Sequence, residues 1–117
     1  MEADQLGRLR DILDSARLIA TSMRDTLEPE FRKDFQKQDA VIRRIEIIGE
    51  ATAHLTEQTR QAIPELPFRK MKGMRNIIAH DYANVDLKVV WEVATIHVLD
   101  ISETLDRFFG GSHGRTE

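Results

Sequence analysis

From Leu6 onward the apolar residues Leu6, Leu9, Leu13, Ala16, Ala20, Met23 and Leu27 recur at steps of three and four, and Ile12 and Ile19 widen the stripe. That spacing follows the period of an α-helix and excludes the two-residue alternation of a half-buried strand. The same period returns twice. Val41 or Ile42, Ile45, Ile48, Thr52 and Leu55 face one way in a helix from about 38 to 55, and Leu87, Val90, Trp91, Ala94, Val98, Ile101, Leu105 and Phe108 do so from 87 to about 109. No run alternates long enough to form a strand, and 3 prolines and 6 glycines leave little room for turns. The chain therefore reads as all-α. Three long helices, one or two shorter ones and brief connections predict an up-and-down bundle of four to five helices, a single domain over residues 1–110 with a flexible tail at 111–117.

The breaks between helices have their own signals. Pro29 disfavours helical geometry in the residue before it, which places the end of the first helix near Glu28. Phe31 and Phe35 are four apart and anchor a short piece from Glu30 to Lys37. Thr56 caps a turn through Arg60, and Pro64-Glu65-Leu66-Pro67 is a connector whose second proline suits the first position of a helix over 68–79. Asp86 is the expected N-cap of the last helix, and Gly110 and Gly111 are expected to stop it. Gly49 lies in a helix interior, where it costs about 1 kcal/mol relative to alanine. Its presence implies that another backbone crosses there. On the same helix Asp39, Arg43, Glu46 and Glu50 follow at steps of 4, 3 and 4 as a charged line, which reads as a solvated face.

Composition narrows the chemistry. With no cysteine among 117 residues there is no disulfide framework, no thiolate nucleophile and no Cys-based zinc site. The acidic start Met1-Glu2-Ala3-Asp4 is unlike a signal peptide, and the apolar stretch Leu87 to Leu99 is broken by Lys88, Glu92 and His97, so a cytoplasmic protein without membrane contact is expected. Net charge is -3, yet Arg69, Lys70, Lys72 and Arg75 follow one another with no acid before Asp81. Such a local reversal of sign suits an anionic ligand.

That basic run enters Arg75-Asn76-Ile77-Ile78-Ala79-His80-Asp81-Tyr82. In an ideal helix Arg75 and His80 lie about 140° apart, while Asn76 and His80 share a face. Arg75 and His80 converge on one ligand only if the helix ends near Ala79, or if a second copy supplies part of the site. At a helix end, beside Asp81, a histidine is set to titrate near neutrality. Metal-free RNA cleavage needs a base for the ribose 2′-hydroxyl, an acid for the departing 5′-oxygen and cations at the phosphoryl oxygens. Histidine and arginine supply these roles. With one histidine per patch, a two-histidine mechanism requires a two-fold dimer. On the residues alone three readings stay open: a catalytic site, a non-catalytic anion or nucleotide site, and a structural histidine at a helix end. Tyr82 by itself reads as a packed core tyrosine. His54, His97 and His113 have no metal-ligand spacing, and neither a metal nor a cofactor is expected.

The run Arg75 to Tyr82 resembles the R-N-x-x-x-H motif of the HEPN superfamily, in the R-x-x-x-x-H-x-Y form of the HepT toxins. Gln38 to Arg43 and Ile47-Ile48-Gly49-Glu50-Ala51 resemble the family's third helix, Ile63 to Arg69 its proline connector, and Lys72-Gly73-Met74 its approach to the motif, with Val90-Trp91 in the last helix. The resemblance implies a helical homodimer acting as a metal-independent ribonuclease toxin, paired with a nucleotidyltransferase antitoxin of the MntA type. It assigns RNA cleavage to Arg75 and His80 with Asn76 and Asp81 in support, and AMP modification by the antitoxin to Tyr82. Arg69, Lys70, Lys72 and Arg43 are then candidate RNA contacts, and the charged line of Asp39, Glu46 and Glu50 becomes a second side of the cleft. The alternative is a helical module that binds nucleotide or a nucleotidyltransferase without catalysis. Phe68 stands where the family usually has tryptophan, and Ala83-Asn84 follows the tyrosine where an aromatic and a glycine are commoner.

Overall fold

The computed structural model describes residues 1–76 and 85–112. Among them are three long helices and three short ones, with no strand. Helix α1 spans Ala3–Met23, α2 Glu28–Lys33, α3 Phe35–Ala53, α4 Glu57–Ala62 and α5 Phe68–Met74. The last long helix is continuous from Leu87 to Ser112: α6 over Leu87–Glu92, a π-helical turn over Val93–His97, and α7 over Val98–Ser112.

The apolar stripes become the core. Leu9, Ile12, Leu13, Ala16 and Ile19 of α1 are buried with Val41, Ile45 and Ile48 of α3 and Val98, Ile101 and Leu105 of α7. Helix α1 packs on both α3 and α7, so the three long helices share one apolar centre. Helix α5 adds Met71 and Met74 from its seat on α3. Phe31 of α2 is fully buried, 5.7 Å from the Trp91 ring of α6. No helix among the described residues is long and apolar enough to cross a membrane.

Several breaks differ from their sequence expectation. Helix α1 ends at Met23, well short of Glu28, because Asp25 takes a positive φ of 60° and turns the chain. Pro29 begins α2 instead of ending α1, and the Glu30 carboxylate accepts from the Leu27 N–H at 2.9 Å. A proline suits the first turn of a helix, where no intrahelical N–H is needed. Leu27 consequently leaves the stripe and is 65% exposed. Phe31 and Phe35 belong to different helices, because Asp34 stands between them as the N-cap of α3 and accepts from the Lys37 N–H at 3.0 Å. Phe31 is buried and Phe35 is 72% exposed. Pro67 sits one residue earlier than expected, at the N-cap of α5. Gly110 and Gly111 do not stop the last helix, which runs on to Ser112. Thr56 and Asp86 cap α4 and α6 as their sequence positions suggest, accepting from the N–H groups of Thr59 and Lys88.

Candidate active site at the end of helix α5

The basic residues of α5 point outward. Arg69, Lys70 and Lys72 are exposed, while Met71 and Met74 turn inward onto α3, as the short helix has one apolar side. At its C-terminal end Arg75 keeps helical dihedrals (φ −63°, ψ −34°), and Asn76 beside it is helical and exposed. His80, Asp81 and Tyr82, the other expected members of the site, lie outside the described residues.

The position of Arg75 is set by α3. Gly49 is buried at the crossing, and a Cβ placed there would come within 2.6 Å of the Arg75 backbone nitrogen and 2.9 Å of its Cα. Only a glycine allows this approach. The close backbone inferred from the mid-helix glycine is therefore the backbone of the motif arginine itself. One residue further along α3, the Glu50 carboxylate lies 3.6 Å from Arg75 Nε, with both side chains 52% exposed.

The charged line on α3 divides between two partners. Arg43 donates to Glu46 at 3.0 Å, while Glu50 faces Arg75. Together with Arg8 and Asp11 of α1, these α3 residues line an open groove of about 340 Å³, floored by Ile47 and Ala51. Glu50 thus borders both the groove and the arginine. Arg43 lines this groove, and Arg69, Lys70 and Lys72 do not. Sequence reading placed Glu50 on a charged face without its partner, and it gave no role to Arg8 or Asp11. The available signal was the glycine next to Glu50, which marks where a second element arrives.

A smaller depression lies one turn of α1 before Arg8, between Met1, Glu2, Gln5, Thr56, Gln58, Thr59 and Ala62. Gln5, Thr56 and Thr59 in it are hydrogen-bonded. The Gln5 amide donates to the His54 carbonyl at 3.2 Å and accepts from the Thr56 N–H at 2.9 Å. This is a joint between α1 and the α3–α4 turn.

The comparisons with known proteins agree on a family. The pattern of the family described as "Ribonuclease HepT-like" matches residues 12–108. A "Probable ribonuclease HepT" of Thermococcus cleftensis is 38% identical over 92 residues, covering 79% of this chain and 84% of that protein. The "Gamma-glutamylcyclotransferase and putative RNase MJ0434" of Methanocaldococcus jannaschii is 39% identical over 114 residues, with 92% of this chain covered, and the chain spans only 51% of that protein's length. The "mRNA nuclease HepT" of Shewanella oneidensis is 28% identical over 101 residues, covering 66% of this chain and 76% of that protein. No solved structure matches the chain. An all-helical core, a motif arginine seated on α3 and a family match that spans both lead to one conclusion: the chain belongs to the HepT-like ribonuclease family of the HEPN superfamily.

Proposed function

We propose that this protein is a metal-independent endoribonuclease toxin that acts as a two-fold dimer, with Arg75 and His80 as its catalytic pair. The observation that carries the reading is the seating of Arg75. Its backbone is pinned against Gly49 and its guanidinium reaches a half-exposed surface beside the basic face of α5, in a chain of a ribonuclease family. A planar, permanently charged fork held in this way is suited to phosphodiester oxygens, and most of all when charge builds on them in the transition state.

The chemistry is an internal transfer. His80 as base takes the proton of the ribose 2′-hydroxyl, and the 2′-oxygen attacks the adjacent phosphorus. The bond from phosphorus to the 5′-oxygen then breaks as that oxygen gains a proton from an acid. The products are a 2′,3′-cyclic phosphate and a 5′-hydroxyl. The nucleophile is part of the substrate, so no metal is needed to activate a water. The second copy of His80 in the dimer serves as the acid. Asn76 and Asp81 support the pair, and Arg69, Lys70 and Lys72 contact flanking phosphates. Arg43, paired with Glu46 on α3, is the outlying contact. Tyr82 is the regulatory handle. A nucleotidyltransferase antitoxin adds AMP to it, placing negative charge and bulk where the RNA phosphate binds. RNA, tRNA among it, is the substrate class.

The test is cleavage of total RNA and tRNA in EDTA by protein whose intact mass shows no added AMP, beside Arg75→Ala and His80→Ala. Cleavage by the wild type to cyclic-phosphate ends, lost in both variants without loss of fold, is the expected result. Cleavage that persists in both variants, or none by the unmodified wild type, sinks the proposal. The second outcome favours a non-catalytic module that binds a nucleotidyltransferase through the same basic patch.

A further inference from the structure

We infer that Glu50 is a positioning residue: it holds the Nε side of the Arg75 guanidinium and so turns the Nη1/Nη2 fork toward an incoming phosphodiester. The inference rests on the ribonuclease reading above for what the fork addresses, and on the geometry for how it is aimed.

Two anchors act in sequence. The first is the Gly49 contact, which fixes the Arg75 backbone to within van der Waals reach of α3. Glu50 follows Gly49 on the same helix turn, so the origin of each side chain is set relative to the other before either extends. The second is the ion pair itself, 3.6 Å between Glu50 Oε2 and Arg75 Nε. An arginine has several rotatable bonds beyond Cβ, and a fixed backbone alone leaves its head free to wander. A carboxylate 3.6 Å from Nε, an ionic contact longer than a hydrogen bond, restricts that freedom at one edge of the planar group. The opposite edge, Nη1 and Nη2, is the one whose geometry matches two phosphate oxygens.

The exposure of the pair argues for aim over stability. Both side chains are 52% exposed, and ion pairs in that setting add little to folding. Glu46, four residues earlier on the same face, is engaged with Arg43 at 3.0 Å, so of these two carboxylates only Glu50 meets the motif arginine. A carboxylate beside a phosphate site also repels the substrate. That cost gives the role a signature: removing Glu50 should leave RNA binding unchanged or tighter while slowing the chemical step. A merely structural residue would lower the folded fraction, and a merely repulsive one would raise kcat/KM when removed.

The experiment has two arms on the full-length protein. In the first, Glu50→Ala and Glu50→Gln are assayed on RNA in the wild-type and Arg75→Lys backgrounds, with thermal unfolding alongside. Glu50→Ala is expected to lower kcat by about 10–100-fold, the scale of a misaimed catalytic group, with KM unchanged or lower. Glu50→Gln, which keeps an acceptor oxygen, should recover part of it. In the Arg75→Lys background the further loss should be less than about threefold, since the group being aimed is gone. A full multiplicative loss there, or a kcat loss explained by unfolding, overturns the inference. The second arm needs no catalysis: 15N relaxation of the Arg75 Nε–Hε group in wild type and Glu50→Ala. Ordering that disappears with Glu50 is expected, and equal mobility in both overturns the inference. Ordering through Glu50 in a chain that cuts no RNA supports the positioning and overturns the ribonuclease reading instead.

Discussion

Helix α1 meets α7 through side chains, whereas Arg75, the residue that ends α5, meets α3 through backbone. Along the first seam the core residues Leu13 and Leu105 are fully buried, and the rim carries an Arg17–Asp106 ion pair and the Arg10 guanidinium 4.0 Å over the Phe109 ring. Along the second seam the decisive contact is a missing Cβ, Gly49 against the backbone of Arg75. A seam made of side chains can repack when one of them changes, and its energy is spread over many contacts. A contact made of backbone, as at Gly49 and Arg75, has no such freedom. The first is suited to holding the bundle together, the second to fixing one residue in space. Mutations should therefore separate stability from activity along these two lines.

The largest stability effect is expected in the first seam. Leu13→Ala removes a fully buried side chain and should cost about 2–5 kcal/mol, read as a lower denaturant midpoint at unchanged slope. RNA cleavage per folded molecule should stay near wild type. A loss of activity beyond the loss of fold would mean that the core, as well as the Gly49 contact, sets the site. Gly49→Ala tests the other side. The added methyl gains about 1 kcal/mol of helix propensity, but it meets backbone atoms that cannot move aside alone, so a net loss of about 1–3 kcal/mol is expected. The effect on catalysis should exceed that on fold, about 100-fold in kcat, because the displaced group is Arg75. Near-normal activity in a folded Gly49→Ala protein would show that the backbone contact does not place the arginine.

The same contrast explains what the sequence revealed. Apolar residues at helical spacing report burial directly, which is why Leu9, Leu13, Ile45, Ile48, Ile101 and Leu105 were legible as core. Gly49 was legible because a glycine in a helix interior needs a reason. The boundaries were not. Pro29 is compatible with ending one helix or beginning the next, and Asp25, whose positive φ decides between them, carries no mark among ordinary surface acids. Phe31 and Phe35 share a face only if one helix contains both, and Asp34 caps a new helix between them. Gly110 and Gly111 end a helix only where the chain turns left-handed after it, and here the helix continues. At the site, the basic run and Arg75 stand out by charge, but the pairing of Arg75 with Glu50 joins two helices and leaves no local pattern. The widening of the last helix at Val93–His97, where the Thr95 hydroxyl donates to the Trp91 carbonyl, is equally silent in the spacing of its apolar residues.

The smallest expected effect sharpens the comparison most. Arg17 and Asp106 form an ion pair that links α1 to α7, the two helices whose seam carries the core, and on a diagram it looks like a clasp. The two side chains are 52% and 47% exposed, so water competes for both charges and salt screens them. Arg17→Ala should therefore change unfolding free energy by no more than about 0.5 kcal/mol, with the wild-type and variant curves drawing together as salt is raised. Activity should not change. Arg75 and Glu50 are similarly exposed and, at 3.6 Å, in looser contact, so their contribution to folding should be no larger. The difference in function between the two pairs then lies in what the arginine is aimed at. A drop of more than about 1.5 kcal/mol in Arg17→Ala, well outside the range for exposed pairs, would show that surface ion pairs in this bundle do hold helices together. The weak energetics assumed for Glu50 would then have to be abandoned with it.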